Sequence, residues 1–183
     1  MGKGNGSDLG LSGRVVGKLL AANSRITPQV FGQIAQSILV STFDAGGYQV
    51  TTPNTIGVPD FVAVKLAGGT RLAVEAKTGD PISLTLRDLE GTINAGEVAI
   101  IAALVFPDRR PRWLFADAGQ LRPGRWELRR LERLPQVDLG FDVQRTFLKL
   151  VDTVREELLS DRPAFQIWSS EQRRMGWVCL SDA

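Results

Sequence analysis

The stretch from Gly57 to Thr78 reads GVPDFVAVKLAGGTRLAVEAKT, and it decides the expected fold of the chain. It contains two mainly apolar runs, Phe61 to Leu66 and Arg71 to Lys77, which are typical of β-strands. The connection between them holds the adjacent glycines Gly68 and Gly69, and paired glycines supply the positive backbone dihedrals of a tight turn. We therefore predict a β-hairpin whose turn is centred between these two glycines.

Three charged side chains lie at the open end of this predicted hairpin. In the predicted register Asp60 pairs with Lys77, and Glu75 lies diagonally beside them on the neighbouring strand. Glu75 and Lys77 project to one face, because side chains two positions apart in a strand point the same way, and Ala76 projects to the other. Two charges at the end of an apolar strand cost free energy unless water, a partner or a metal ion compensates them.

Helical and strand patterns surround the hairpin and indicate the fold class. The predicted order is a helix that starts at Pro28 and ends at Gly46, a strand over Tyr48–Thr52, the hairpin, a helix capped by Ser83 or Thr85 that ends near Gly96, and strands over Val98–Phe106 and Trp113–Ala116. A helix, three strands, a second helix and two further strands in this order predict an α/β fold, with a mixed β-sheet flanked by helices.

The chain is expected to form one domain with three parts. Residues 1–27 are predicted to be an N-terminal tail with a short helix, and residues 28–118 form the core of the fold. Residues 119–183 extend the same domain and are expected to serve dimerisation or substrate contact. Within this extension, Leu121–Leu134 is predicted to be a hairpin and Val143–Leu159 a helix, because its apolar residues recur at helical spacing.

The residue types that are missing restrict the chemistry. The 183 residues include no histidine, and Cys179 is the only cysteine. Histidine-dependent triads, imidazole zinc sites and an internal disulfide framework are therefore excluded, and any catalysis must use carboxylates and lysine, with or without a hard metal ion. No signal peptide is evident and no apolar run approaches the roughly 20 residues of a membrane span, so we expect a cytoplasmic protein without membrane contact.

The charged cluster suits a magnesium ion. Asp60, Glu75 and the backbone carbonyl of Ala76 offer hard oxygen ligands, which Mg²⁺ prefers while it keeps several waters. A bound water whose pKa the metal lowers is a nucleophile for a phosphodiester. Lys77 could orient or deprotonate that water, or it could stabilise charge on the phosphate, and the sequence leaves both roles open.

The order Pro59, Asp60, fourteen residues, then Glu75, Ala76 and Lys77 resembles the motif of the PD-(D/E)xK nuclease superfamily, the restriction-endonuclease-like proteins. Its expected core of helix, three-stranded meander, helix and strand matches the elements predicted from Pro28 to Ala116. Within the superfamily the chain is most similar to the archaeal Holliday junction resolvases. The resemblance implies a metal-dependent endodeoxyribonuclease that uses Mg²⁺, with Mn²⁺ as a substitute, in DNA repair or recombination.

The first helix departs from the pattern of these resolvases. That helix commonly supplies a glutamate to the active site, and the matching position here is Gln36. A neutral amide can hold a metal-bound water but adds no charge, so this departure favours one metal ion over two without deciding the number. Gln36 is a secondary catalytic candidate, and an ordinary solvent-facing helix residue is the equal alternative.

Arginine dominates the positive charge and predicts a polyanionic partner. The chain has 17 arginines and 5 lysines, and Pro107–Leu134 holds eight arginines against four acids. The planar guanidinium suits bidentate phosphate contacts, although a solvated arginine-rich surface fits the composition equally well. We predict DNA as the partner, with contacts from four arginines. These are Arg87, Arg109, Arg110 and Arg112.

Several alternatives remain open from the sequence. A bare Glu-x-Lys in a strand is more often an ordinary salt-bridged pair, and only the surrounding framework favours a nuclease. A restriction or defence endonuclease on linear duplex DNA would use the same chemistry, and a catalytically inactive DNA-binding protein could keep the same fold. A homodimer is expected because cutting two strands needs two sites, and Val143–Leu159 is the candidate interface.

Overall fold

A computed structural model gives the fold and describes residues 28–53, 59–105 and 112–158, with side chains over 32–53, 59–105 and 112–154. The predicted N-terminal helix and two of the predicted DNA contacts, Arg109 and Arg110, lie outside the described residues. The elements are α1 (Pro28–Ala45), β1 (Tyr48–Thr51), β2 (Phe61–Lys65), β3 (Arg71–Lys77), β4 (Ile82–Leu84), α2 (Leu86–Ala95), β5 (Val98–Val105), β6 (Arg112–Asp117), β7 (Gly124–Trp126), α3 (Leu128–Leu131) and α4 (Val143–Leu158).

The main sheet has five strands in the order β1-β2-β3-β5-β6. The first three strands form an antiparallel meander, β5 runs parallel to β3, and β6 returns antiparallel to β5. Helix α2 makes the crossover between the two parallel strands, which need such a connection because a short turn cannot join them. The structure thus confirms the predicted α/β class and its mixed sheet flanked by helices.

Each face of the sheet has its own apolar core. One face packs against α1 and α4, and its largest buried side chains are aromatic: Phe43, Phe61 and Phe147. The other face packs against α2 through Ile101 of β5 and Leu89 of the helix. Because successive side chains of a strand alternate between faces, every position of β3 belongs to one of these two environments.

The hairpin register differs from the prediction by two residues. Strands β2 and β3 pair Phe61 with Val74, which continues to Asp60 opposite Glu75 rather than opposite Lys77. The predicted pairing of Asp60 with Lys77 is therefore wrong. In the observed register the carboxylate of Asp60 lies opposite another carboxylate, that of Glu75, instead of opposite the ammonium of Lys77.

The turn of the hairpin explains this shift. The carbonyl of Lys65 accepts hydrogen bonds from the backbone N–H groups of both Gly68 and Gly69, so the turn closes one residue earlier than predicted. Only Gly69 takes a positive φ, at 74°, while Gly68 lies inside the turn without needing one. Two adjacent glycines therefore mark the turn but do not identify its centre.

A second, two-stranded sheet was not predicted. Strand β4 pairs antiparallel with β7, although about forty residues separate them in the chain. The predicted hairpin over Leu121–Leu134 is therefore wrong, since β7 pairs with β4 and the helix α3 follows it. Ser83 lies in β4 and does not cap the helix. Thr85 is the N-cap of α2, which Gly96 ends.

Helix α4 confirms the predicted helix within one residue, and its apolar face is buried inside the chain. Val143, Phe147, Val151 and Val154 belong to the core that α1 also covers. The face that made this helix the candidate dimer interface is thus occupied within one molecule. Over the described ranges, none of the helices combines the length and apolarity that crossing a membrane requires.

Gly96 allows α2 and β3 to approach closely, which gives a prediction for stability. A Cβ at this position would lie 2.7 Å from the backbone nitrogen of Ala73, closer than real Cβ contacts allow. Gly96→Ala should therefore lower the free energy of unfolding by roughly 1 to 3 kcal/mol in urea denaturation followed by tryptophan fluorescence. Gly68→Ala is the matched control, because a Cβ there meets nothing within 4 Å. Equal effects of the two substitutions would contradict the close packing.

Candidate active site

The structure brings Asp60, Glu75 and Lys77 together at one end of the main sheet. Asp60 follows the buried Pro59 and precedes β2, whereas Glu75 and Lys77 lie near the end of β3. The Oδ2 atom of Asp60 accepts a hydrogen bond of 2.7 Å from the backbone nitrogen of Ala76. The Nζ atom of Lys77 donates one of 2.7 Å to Oε1 of Glu75. The hydrogen bond to Ala76 thus holds the Asp60 carboxylate beside the strand segment that carries the other two groups.

Glu75 is unusually buried for a charged residue. Its side chain is only 8% exposed, because β3 is an inner strand and Glu75 pairs with the buried Ile101 of β5. Paired residues of neighbouring strands project to the same face. Glu75 therefore faces the side of the sheet that α2 covers, and Lys77 projects to the same side.

Helix α2 adds a fourth charged group, Asp88. Its Oδ1 atom lies 3.3 Å from Nζ of Lys77, and its Oδ2 atom accepts a hydrogen bond from the backbone nitrogen of Thr85. The Thr85 hydroxyl accepts in return from the Asp88 nitrogen, which completes a capping box at the start of the helix. The ammonium of Lys77 is thus shared between Glu75 and Asp88.

From the sequence, the polar residues after the motif are candidates for a further group near the lysine and cannot be ranked: Ser83, Thr85, Arg87 and Asp88. The signal that could have selected Asp88 is the spacing Thr85-x-x-Asp88, which is typical of a capping box and predicts that Asp88 lies in the first turn of the helix. The spacing alone does not reveal that the second carboxylate oxygen contacts Lys77, because that depends on how α2 packs against β3.

The two acidic residues of the motif both hold protons more tightly than usual. Burial, followed by the charge of Asp60, raises the pKa of Glu75 to about 7, even though Lys77 acts in the opposite direction. Burial also raises the pKa of Asp60, and the hydrogen bond from Ala76 opposes it. Two carboxylates close together in a poorly solvated place resist simultaneous ionisation, so a further positive charge would stabilise the site.

The two remaining groups stay charged. Burial alone would lower the pKa of Lys77, but the hydrogen bonds and charges of Glu75 and Asp88 together outweigh burial, and the net pKa is raised. Burial would raise the pKa of Asp88, but the hydrogen bonds from Thr85 and the charge of Lys77 leave that pKa below its usual value. Lys77 and Asp88 therefore form a permanently charged pair beside the two acids that titrate.

The donor set is compatible with one hard dication. Oδ1 of Asp60 and Oε2 of Glu75 take part in no hydrogen bond among the described residues, so both are available as ligands. In the same parts of the chain, no group of three or more acidic, histidine or cysteine side chains could hold a metal. A cation here would therefore depend on two carboxylates, waters and a backbone carbonyl, for which Ala76 stays the prediction.

Gln36 is not joined to these groups. It is half-buried on α1, which packs on the Val74 face of β3, whereas Glu75 projects to the opposite face. No hydrogen bond or ion pair links Gln36 to Asp60, Glu75 or Lys77 within the described segments. The role of Gln36 in the site stays a prediction.

The predicted DNA contacts have different surroundings. Arg87 is exposed in the first turn of α2, directly before Asp88. The Nη2 atom of Arg112 lies 2.6 Å from Oε1 of Glu132, and both side chains are partly exposed. Arg87 therefore lies near the charged cluster, and Arg112 already has an acidic partner.

Comparisons with known proteins leave the family of this chain open. No protein-family model matches the sequence, and no curated protein matches it either. Among solved structures, it is similar to Archaeoglobus fulgidus Hjc, a Holliday junction resolvase from an archaeal hyperthermophile. The TM-score is 0.46 at 19% sequence identity, over 58% of this chain and 91% of that one. A similarity this low supports no inference, so the fold class rests on the strand order and the site on its own geometry.

The raised pKa of Glu75 predicts how pH affects stability without metal. Since its pKa rises from 4.5 to about 7 on folding, Glu75 favours the folded state below pH 4.5, and this contribution is lost as the pH rises through 7. In EDTA at pH 8, Glu75→Gln should therefore stabilise the protein by roughly 1 to 3 kcal/mol, measured by urea denaturation. The difference between variant and wild type should nearly vanish at pH 4.5.

A change in the free energy of unfolding in the opposite direction would contradict this prediction. If Glu75→Gln destabilised the protein at pH 8, the ion pair with Lys77 would be an ordinary stabilising salt bridge and burial a minor effect. Glu97→Gln serves as the control, because it makes the same chemical change at an exposed position.

Proposed function

We propose that this protein is a magnesium-dependent DNA endonuclease that hydrolyses phosphodiester bonds. The observation that carries the proposal is the convergence of two mutually repelling carboxylates, the buried Glu75 and the partly buried Asp60, with the ammonium of Lys77 beside them. A structural salt bridge needs one acid and one base. A second acid, held in place by its own backbone hydrogen bond, makes the doubly ionised site unfavourable unless a cation binds.

Each residue has a distinct part in this function. Asp60 and Glu75 hold the cation through the oxygens that their present hydrogen bonds leave available. Mg²⁺, when bound, supplies an acidified water and neutralises charge on the phosphate. Lys77 either orients the attacking water or contacts the phosphate oxygens, and Asp88 restrains its ammonium from the other side.

Structured DNA of the Holliday junction type is the proposed substrate, and linear duplex is the alternative. The motif and element order from Pro28 to Ala116 support this choice through their resemblance to archaeal resolvases. One chain carries one set of these residues, so cutting both strands of a junction would use two copies of the protein. A homodimer is therefore part of the proposal, although the apolar face of α4 is not its interface.

Cleavage of labelled DNA in Mg²⁺ tests the proposed function. Asp60→Asn, Glu75→Gln and Lys77→Ala should each lower the rate by about 100-fold or more, because each removes a cation ligand or the ammonium. Asp44→Asn is the control, since Asp44 is exposed at the end of α1, and it should cleave like the wild type. Cleavage that survived all three substitutions would defeat the assignment.

The substrate panel distinguishes the alternatives in the same assay. Four-way junctions, sequence-diverse linear duplexes and single strands are compared at equal concentration. Preference for the junction supports the resolvase-type activity, whereas cutting of particular duplexes indicates a restriction-type enzyme. Salt-sensitive binding without cutting of any DNA would identify an inactive DNA-binding protein instead.

Asp88 is expected to act through the position of Lys77. Asp88→Asn keeps an oxygen that can accept from Thr85 but removes the charge beside Nζ of Lys77, so kcat should fall about tenfold while KM for DNA stays constant. Thr85→Ala is the matched control. It removes the other half of the capping box and costs about 1 kcal/mol of stability, yet it leaves the Lys77–Asp88 pair intact and should keep the wild-type kcat. A parallel loss of kcat in both variants would show that only helix stability matters.

A further inference from the structure

A basic surface lies next to the candidate active site and outside the residues assigned so far. We call the segment Leu121–Leu134 the arginine arm; it contains β7 and α3. Its five arginines are all exposed, and no ion pair between them and an acidic side chain occurs in the described part of the chain. They are Arg122, Arg125, Arg129, Arg130 and Arg133.

The arginine arm concentrates the positive charge of the protein. It holds five arginines and two acids, a net charge of +3, whereas the whole chain carries only +2, so the remaining residues sum to −1. One of the two acids, Glu132, is already paired with Arg112 from β6. The acidic residues of the arm therefore neutralise only a small part of the charge of its arginines.

The fold holds the arginine arm in a fixed place. Arg125 pairs with Ser83 across the small sheet, and both residues are exposed on its outer face. Beneath them Trp126 packs against the core and donates from Nε1 to the carbonyl of Arg122 at 2.9 Å. Leu131 is fully buried in the core that α2 shares. An anchored surface loses less conformational entropy on binding than a mobile loop does.

The pairing of β7 with β4 places the arginine arm close to the charged cluster that contains Lys77 and Asp88. Gly124 pairs with Leu84 at the end of β4, and four residues later Asp88 contacts Lys77. Since an extended chain spans at most about 3.5 Å per residue, the strand pair lies within roughly 20 Å of the Lys77 ammonium. That distance corresponds to roughly six base pairs of duplex.

We propose that the arginine arm binds the phosphate backbone of duplex DNA and holds the duplex against the candidate active site. This inference rests on the proposed function and names the surface that would grip the substrate. Guanidinium groups match phosphate geometry, and backbone contacts position a duplex without reading its sequence. The arm also differs from the contact predicted at Arg112, whose guanidinium is engaged by Glu132.

Fluorescence anisotropy with a fluorescein-labelled duplex tests the arginine arm without requiring cleavage. Binding is measured in EDTA over a range of salt concentrations for wild type and for Arg125→Gln/Arg129→Gln. Loss of two phosphate contacts should reduce the slope of log affinity against log salt by about 2 and weaken low-salt binding by about tenfold. Arg125→Lys/Arg129→Lys keeps the charge and should retain most of the slope.

Arg145→Gln/Lys149→Gln is the matched control, because it removes the same charge from exposed positions of α4 on the other side of the sheet. It should bind like the wild type, and thermal unfolding checks that every variant is folded. The proposal is overturned if the arm and control variants lose DNA affinity equally, or if neither loses any. The arm would then contact an acidic protein partner or only solvent. Absence of cleavage with an intact salt-dependent arm effect would instead count only against the endonuclease function.

Discussion

The hydrogen bond from the backbone nitrogen of Ala76 to Asp60 is the constraint on which the site depends. It fixes a carboxylate from the start of β2 beside the end of β3, where Glu75 is already buried. The sheet thus places two like charges in a poorly solvated environment, at a cost that their partners reduce only in part. Proteins retain such an arrangement where function requires it, since an apolar pair of the same volume would be more stable.

The two faces of the main sheet differ in the side chains that they carry. Helices α1 and α4 bury one face under aromatic side chains and contribute no group to the charged cluster among the described residues. The opposite face carries Glu75 and Lys77, and Asp88 contacts Lys77 from the first turn of α2. Both faces therefore pack an apolar core, but among the described residues only the face covered by α2 also carries the charged cluster.

The sequence predicted the order of the main helices and strands along the chain and the proximity of Asp60, Glu75 and Lys77, because both depend on local patterns. Alternating apolar residues and paired glycines specify a hairpin wherever they occur. The register of that hairpin was wrong, because hydrogen bonds to Lys65 decide which glycine takes a positive φ. Strands β4 and β7 have three residues each, too few for periodicity, and their pairing is a tertiary contact. The contact of Asp88 with Lys77 likewise depends on helix packing and leaves only the capping box visible in the sequence.

The burial of α4 has a consequence for how the chain can be divided. The motif and its surrounding elements end near Asp117, and the sequence suggested that the residues beyond that point extend a finished core. Instead, Phe147 contacts Trp113 and Phe141 contacts Phe43, so these later residues complete the apolar layer beneath β6 and α1. A fragment cut after the motif would expose aromatic surface to water and promote self-association, so the half that carries the charged cluster cannot be handled as an independent unit.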